Sequence, residues 1–97
     1  MAILPGDLEA YRRTPIFDET SVPPALLRRH TTKAGVWGRI CVLEGELAYR
    51  VLEPGVGEER LVPGRDGIVE PQVPHEVEPV GRVRFFVEFL RRPPGSG

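Results

Sequence analysis

Apolar residues in this chain recur in short alternating runs, with no sustained helical period. Glu46–Leu52 is the clearest run: Leu47, Tyr49 and Val51 fall on one face, and Ala48, Arg50 and Leu52 on the other. That is the two-residue period of a half-buried strand. The same reading predicts strands at Ala25–Thr31, Val36–Leu43, Arg60–Val62, Ile68–Glu70, His75–Pro79 and Arg82–Leu90. Turn formers separate them, among them Lys33-Ala34-Gly35, Gly45, Pro54-Gly55-Val56-Gly57, Pro63-Gly64-Arg65-Asp66-Gly67 and Gly81. A turn signal about every ten residues predicts an all-β sandwich or barrel. Residues 1–24 have no clear period. Asp7 caps at most one helical turn through Arg13, which Pro15 ends, and Pro23-Pro24 enforces an extended approach to the first strand. The expected organisation is an irregular N-terminal arm (1–24) packed on the barrel, a barrel (25–92) and a frayed tail (93–97).

Composition narrows the function classes. Val, Leu, Ile and Phe make up 29 of 97 residues and the net charge is −1, which describes a chain that folds around a core. Its apolar runs are too short for a membrane helix or a signal peptide, so a soluble, cytoplasmic domain is expected. The near-neutral charge gives no electrostatic case for nucleic acid or a membrane surface as partner. Cys41 is the only cysteine, which excludes an internal disulfide and any multi-thiolate zinc site. No glycine-rich loop joins a strand to a helix, so the nucleotide and S-adenosylmethionine folds are absent. With Ser21 and Ser96 the only serines, no nucleophile–base pair is visible.

Two histidines remain. His30 ends a predicted strand and His75 opens another, 45 positions on. A β-barrel can place such positions on neighbouring inner strands, where imidazoles suit Zn²⁺, Fe²⁺ or Ni²⁺. The alternative is two unrelated histidines. Glu88 is the odd residue in Phe85-Phe86-Val87-Glu88-Phe89, and it is outward, paired with Arg84 or a cross-strand partner, or a ligand. Glu70, held extended before Pro71, is the other carboxylate near His75. Alternation sets Trp37, Arg39, Cys41 and Leu43 on one face, as a covered outer surface or a pocket wall, while core packing is the commoner fate of a lone Trp.

Several segments carry a resemblance. Val42-Leu43-Glu44-Gly45-Glu46-Leu47 is similar to the end of the first cupin motif, and Val62–His75, with its Pro-Gly turn and Pro-x-x-Pro-His approach, is similar to the second. Leu26–Gly38, Thr14–Phe17 and Arg84–Phe89 resemble a narrower cupin family: the N-terminal domain of TehB-type tellurite-resistance methyltransferases and the stand-alone YeaR-type proteins. The resemblance implies a cupin-type double-stranded β-helix (a jelly-roll sandwich) as one domain. It also implies a divalent metal (Zn, Fe or Ni) and a stress- or tellurite-related role. His30 matches the first motif histidine and His75 that of the second motif. Thr32 stands where a second histidine belongs, and Gly38 where the carboxylate belongs. The expected site is therefore His30 and His75 with Glu70 as third ligand, and Trp37, Thr32 and Glu88 as pocket candidates. It would bind a small molecule or anion. Metal-dependent dioxygenase- or isomerase-like catalysis and a metal-free dimerisation module are the alternatives. Exposed edge strands argue for a homodimer.

Overall fold

Two long antiparallel strands carry the architecture of the computed structural model, which describes residues 4–93. They are β3 (Trp37–Val51) and β6 (His75–Arg91), paired from Trp37 opposite Leu90 to Val51 opposite His75. The remaining strands attach to this ladder. β1 (Glu9–Arg13) and β2 (Phe17–Asp18) pair with the C-terminal half of β6. β4 (Gly57–Leu61) pairs with the C-terminal half of β3, and β5 (Gly67–Val69) with its N-terminal half. All contacts are antiparallel and form one six-stranded sheet that curls on itself as a jelly-roll barrel. No helix among the described residues is long and apolar enough to cross a membrane.

The curl has an identifiable cause. The sequence reading breaks the chain at Gly45 and Gly81, yet β3 and β6 run through both positions. Gly45 adopts φ +81° and Gly81 φ +71°, and register shifts flank Gly45 on the ladder. These are bulges, which bend a strand pair without ending it. At Gly45 the backbones also meet: a Cβ there would overlap the carbonyl oxygen of Arg82. Gly81 has no heavy atom within 4 Å of such a Cβ.

Two further expectations are corrected. Residues 24–27 form a 3₁₀ turn, where a strand was expected over Ala25–Thr31. Pro24 supplies the fixed φ that starts a helical turn, the Leu26 amide donates to the Pro23 carbonyl (2.9 Å), and Arg29 at φ +31° prevents an extended run. Only His30 rejoins the sheet, through a bridge to His75. Conversely, Glu9–Arg13 is a strand, where at most one helical turn was expected, because the free edge of β6 offers it a ladder. Positions 1–3 of the expected arm and 94–97 of the expected tail lie outside the described residues.

The inner face is aliphatic and aromatic. Phe85, Leu47, Leu61 and Val83 are fully buried, surrounded by Ile40, Val42, Tyr49, Val69, Val77 and Val87. The outer face of the β3–β6 ladder holds Trp37, Arg39 and Cys41 against Leu90, Glu88 and Phe86, their register partners. Glu88 is buried there beneath two guanidinium groups: Arg39 hydrogen-bonds one carboxylate oxygen, and Arg13 donates to the other at 3.2 Å. Arg13 also lies over the Phe86 ring, 4.4 Å from its centroid. The Arg39 hydrogen bond, and then that of Arg13, holds the Glu88 carboxyl below its ordinary pKa.

Two outcomes follow for stability. Gly45→Ala is expected to cost about 3 kcal/mol or more, from backbone strain plus the clash, while Gly81→Ala costs about 1–2 kcal/mol from strain alone. Urea denaturation of both variants checks the difference. Glu88→Gln should cost about 1 kcal/mol at pH 7, discounted because both arginines remain partly exposed. A depressed folded-state pKa stabilises above the unfolded value and is lost as pH falls through the folded one. The gap between wild type and Glu88→Gln should therefore close below about pH 4 in thermal melts.

Candidate functional site

The bridge between His30 and His75 brings the two histidines together. The His30 amide donates to the His75 carbonyl at 2.7 Å, and the His75 amide to the His30 carbonyl at 2.9 Å. Their rings meet edge to face with centroids 5.2 Å apart and planes at 87°. Both line a cavity of about 20 Å³ whose other walls include Leu26, Ile40, Phe85 and Phe89. That volume holds one water-sized species.

Each imidazole has a defined state. His75 is 3% exposed, and its Nδ1–H donates to the Val73 carbonyl at 3.1 Å. This fixes the tautomer and leaves Nε2 with its lone pair free, as in histidines that bind metals. His30 Nδ1 is buried with no hydrogen-bond partner. Burial pushes the His30 pKa down. Burial likewise lowers that of His75; neighbouring His30 adds to the effect and the Val73 carbonyl opposes it. Both are neutral at pH 7. The edge-to-face spacing is that of an ordinary aromatic contact.

The other expected site residues lie differently. Thr32 lines the same cavity and is 8% exposed, but its hydroxyl is already engaged. It donates to the Val36 carbonyl at 2.8 Å and accepts from the Gln72 amide at 3.3 Å. Thr32 thus ties the segment after His30 to the segment before His75. Glu70 is exposed and faces a separate groove beyond the end of β5. Glu88 and Trp37 lie on the outer face of the sheet, away from the cavity, because alternation turns them opposite to Ile40 and Val87. No group of three His, Cys, Asp or Glu side chains suited to a metal occurs among the described residues. At Gly38, a Cβ would sit 3.2 Å from Cβ of Val69 on β5, which occupies the space a carboxylate there would need. Cys41 is half-buried on the outer face, its pKa raised chiefly by burial and further by Asp66. It is not an activated thiol.

Two participants escaped the sequence reading. Val73, two positions before His75, matters only through its carbonyl. Tyr49 lines the neighbouring groove and adjoins His75: its ring lies 6.0 Å from that of His75, and its hydroxyl donates to the Ile68 carbonyl at 2.8 Å. The alternation of β3 places Tyr49 inward, but only the fold puts it beside His75.

Comparison with known proteins gives this geometry a setting. Residues 12–87 match the TehB-like domain family. The probable S-adenosyl-L-methionine-dependent methyltransferase TehB of Haemophilus influenzae is 34% identical over 77 residues, which are 75% of this chain and 27% of that protein. The chain thus spans about a quarter of the length of the curated relatives it matches. The crystal structure of H. influenzae TehB superposes with a TM-score of 0.83 at 27% identity, covering 90% of this chain and 32% of that one. A protein from Escherichia coli K12 superposes with a TM-score of 0.86 at 22% identity, covering 96% and 99%. The cobalt form of the epoxidase HppE aligns at 0.60 and 23% identity, over 76% of this chain and 42% of that one. Likenesses this remote speak to the fold alone, a cupin-type double-stranded β-helix. With most of its length matched, and a curated relative above 30% identity beside it, the chain belongs to the TehB-like domain family.

Proposed function

We propose that this domain is a small metal-binding module that holds one divalent ion on His30 and His75 and takes up a small oxyanion or similar ligand there, in a resistance or stress role. The observation that carries the reading is the pair of neutral, buried imidazoles 5.2 Å apart on one small cavity, one Nδ1 tied to a carbonyl and the other without a partner. Zn²⁺, Fe²⁺ or Ni²⁺ would suit this donor set, with solvent or ligand completing the shell. When bound, the metal supplies Lewis acidity and exchangeable positions. The chain's own residues do the rest. Val73 orients His75, Thr32 holds the two histidine-bearing segments in register, and the apolar walls exclude bulk water. A cavity of about 20 Å³ favours an ion over an organic substrate inside the barrel, which weighs against the dioxygenase- or isomerase-like alternative. The free edges of β1 and β4 support a homodimer. A cytoplasmic setting is part of the same reading.

One observation favours a second reading. The His30–His75 backbone bridge, with Leu26 packed on the core, holds the 3₁₀ segment against the barrel, so this region also fits a metal-free clasp in a structural module.

Elemental analysis of untagged protein separates the two. Metal binding predicts near one equivalent of Zn, Fe or Ni per chain, lost in both His30→Ala and His75→Ala. It also predicts that Zn²⁺ at a hundred times its Kd stabilises wild type by about 2.7 kcal/mol and neither variant. Metal-free wild type with no shift on titration leaves the clasp.

The pair also sets an acid limit. Both folded-state pKa values lie below the unfolded value of about 6.5, so on acidification the unfolded chain takes up protons first. The metal-free protein should therefore lose thermal stability as pH falls below about 6.5, levelling once below the lowered folded values. The loss should shrink when both histidines are replaced by asparagine.

A further inference from the structure

A second concavity lies on the far side of Tyr49. It is an open groove of about 660 Å³ between the β3–β4 turn (residues 53–58) and the loop around β5 (residues 65–70). Its size is that of a small-molecule site. The floor is apolar, formed by Tyr49, Val51, Ile68 and Val73, with Val56 at the lip 79% exposed.

The rim is acidic beyond what the protein neutralises. Glu53 is paired with Arg29, and Glu58 lies 3.5 Å from Arg50. Glu59, Asp66 and Glu70 have no ion-pair partner among the described residues, and Arg65 is the one cation lining the groove. Glu59 is the most telling of these. On β4 it shares a face with fully buried Leu61 and sits in register with Tyr49, so it points inward and is half-buried. Glu59 and Glu70 both help to raise the Tyr49 pKa, although burial is the larger cause, so both carboxylates act on the phenol that walls the groove. A half-buried carboxylate beside apolar side chains is a ready partner for a cation that reaches it.

We propose that this groove binds a small organic cation with an apolar body, an alkyl- or arylammonium. Its ammonium group would lie against Glu59 and Glu70 and its hydrocarbon on Val51, Ile68 and Val73. The apolar residues beside the carboxylates favour an organic cation over a bare metal ion at this rim. The site is independent of whether His30 and His75 hold a metal.

The test is a ¹H–¹⁵N titration of the full chain with phenethylammonium, with neutral 2-phenylethanol as control. Amide shifts that saturate within about 10 mM and centre on residues 53–59 and 65–70 are expected for the ammonium and not for the alcohol. Glu59→Gln and exposed Glu70→Gln should each weaken binding about threefold. Equal binding of the alcohol, shifts centred elsewhere, no shift by about 10 mM, or unchanged affinity in both variants would overturn the proposal.

Discussion

The antiparallel ladder between β3 and β6 is the constraint on which the rest of this structure depends. Fifteen residues of one strand lie against seventeen of the other, and every other strand is bound to one of the two. A flat ladder of that length could not bury both its faces. It bends where Gly45 meets the Arg82 backbone, and the bend turns Ile40, Val42 and Phe85 toward Leu47, Leu61 and Val77. The core exists because the ladder folds over. The His30–His75 bridge forms at the end of β6 where β3 ends, so the candidate site is set by the same pairing.

Much of this was legible in the sequence because alternation is a local property. Leu47, Tyr49 and Val51 turn inward as their spacing predicts, and Trp37, Arg39 and Cys41 share a face. What failed to read locally depends on distant partners. Gly45 and Gly81 look like strand ends, since glycine commonly marks a turn, but each is a bend within a strand held by the other. Glu9–Arg13 has no strand pattern of its own and is extended because β6 offers an edge. Pro24 looked like a rigid entry to a strand and instead starts a turn, since a proline φ serves both.

The candidate site divides in the same way. The juxtaposition of His30 and His75 was readable from the motif resemblance, whereas the fates of Glu70 and Glu88 were not. A carboxylate in an apolar run can be a ligand or half of an ion pair, and the choice depends on what lies across the ladder. For Glu88 it is Arg39, directly in register, with Arg13 on the neighbouring strand. The Arg39–Glu88–Arg13 cluster therefore ties β1, β6 and β3 on the outer face, and it competes with any inward role for that carboxylate.

Two departures from the resembling motif, at Gly38 and Thr32, bear on the space around the two histidines. Gly38 stands where the resembling motif has a carboxylate, and the absence of a side chain lets Val69 of β5 close to within van der Waals reach of that backbone. Thr32 stands where a histidine is usual in the resembling motif, and its shorter side chain instead binds the Val36 carbonyl and the Gln72 amide, tying the two flanking segments together. At position 38 it is Val69 that takes up the space a side chain would have used. Restoring a carboxylate at position 38 alone would press it against Val69, so recovery of a fuller site requires β5 to move as well. What remains is a pair of imidazoles whose state is imposed by the fold. Burial keeps them neutral, Val73 sets one tautomer, and the backbone bridge sets their spacing.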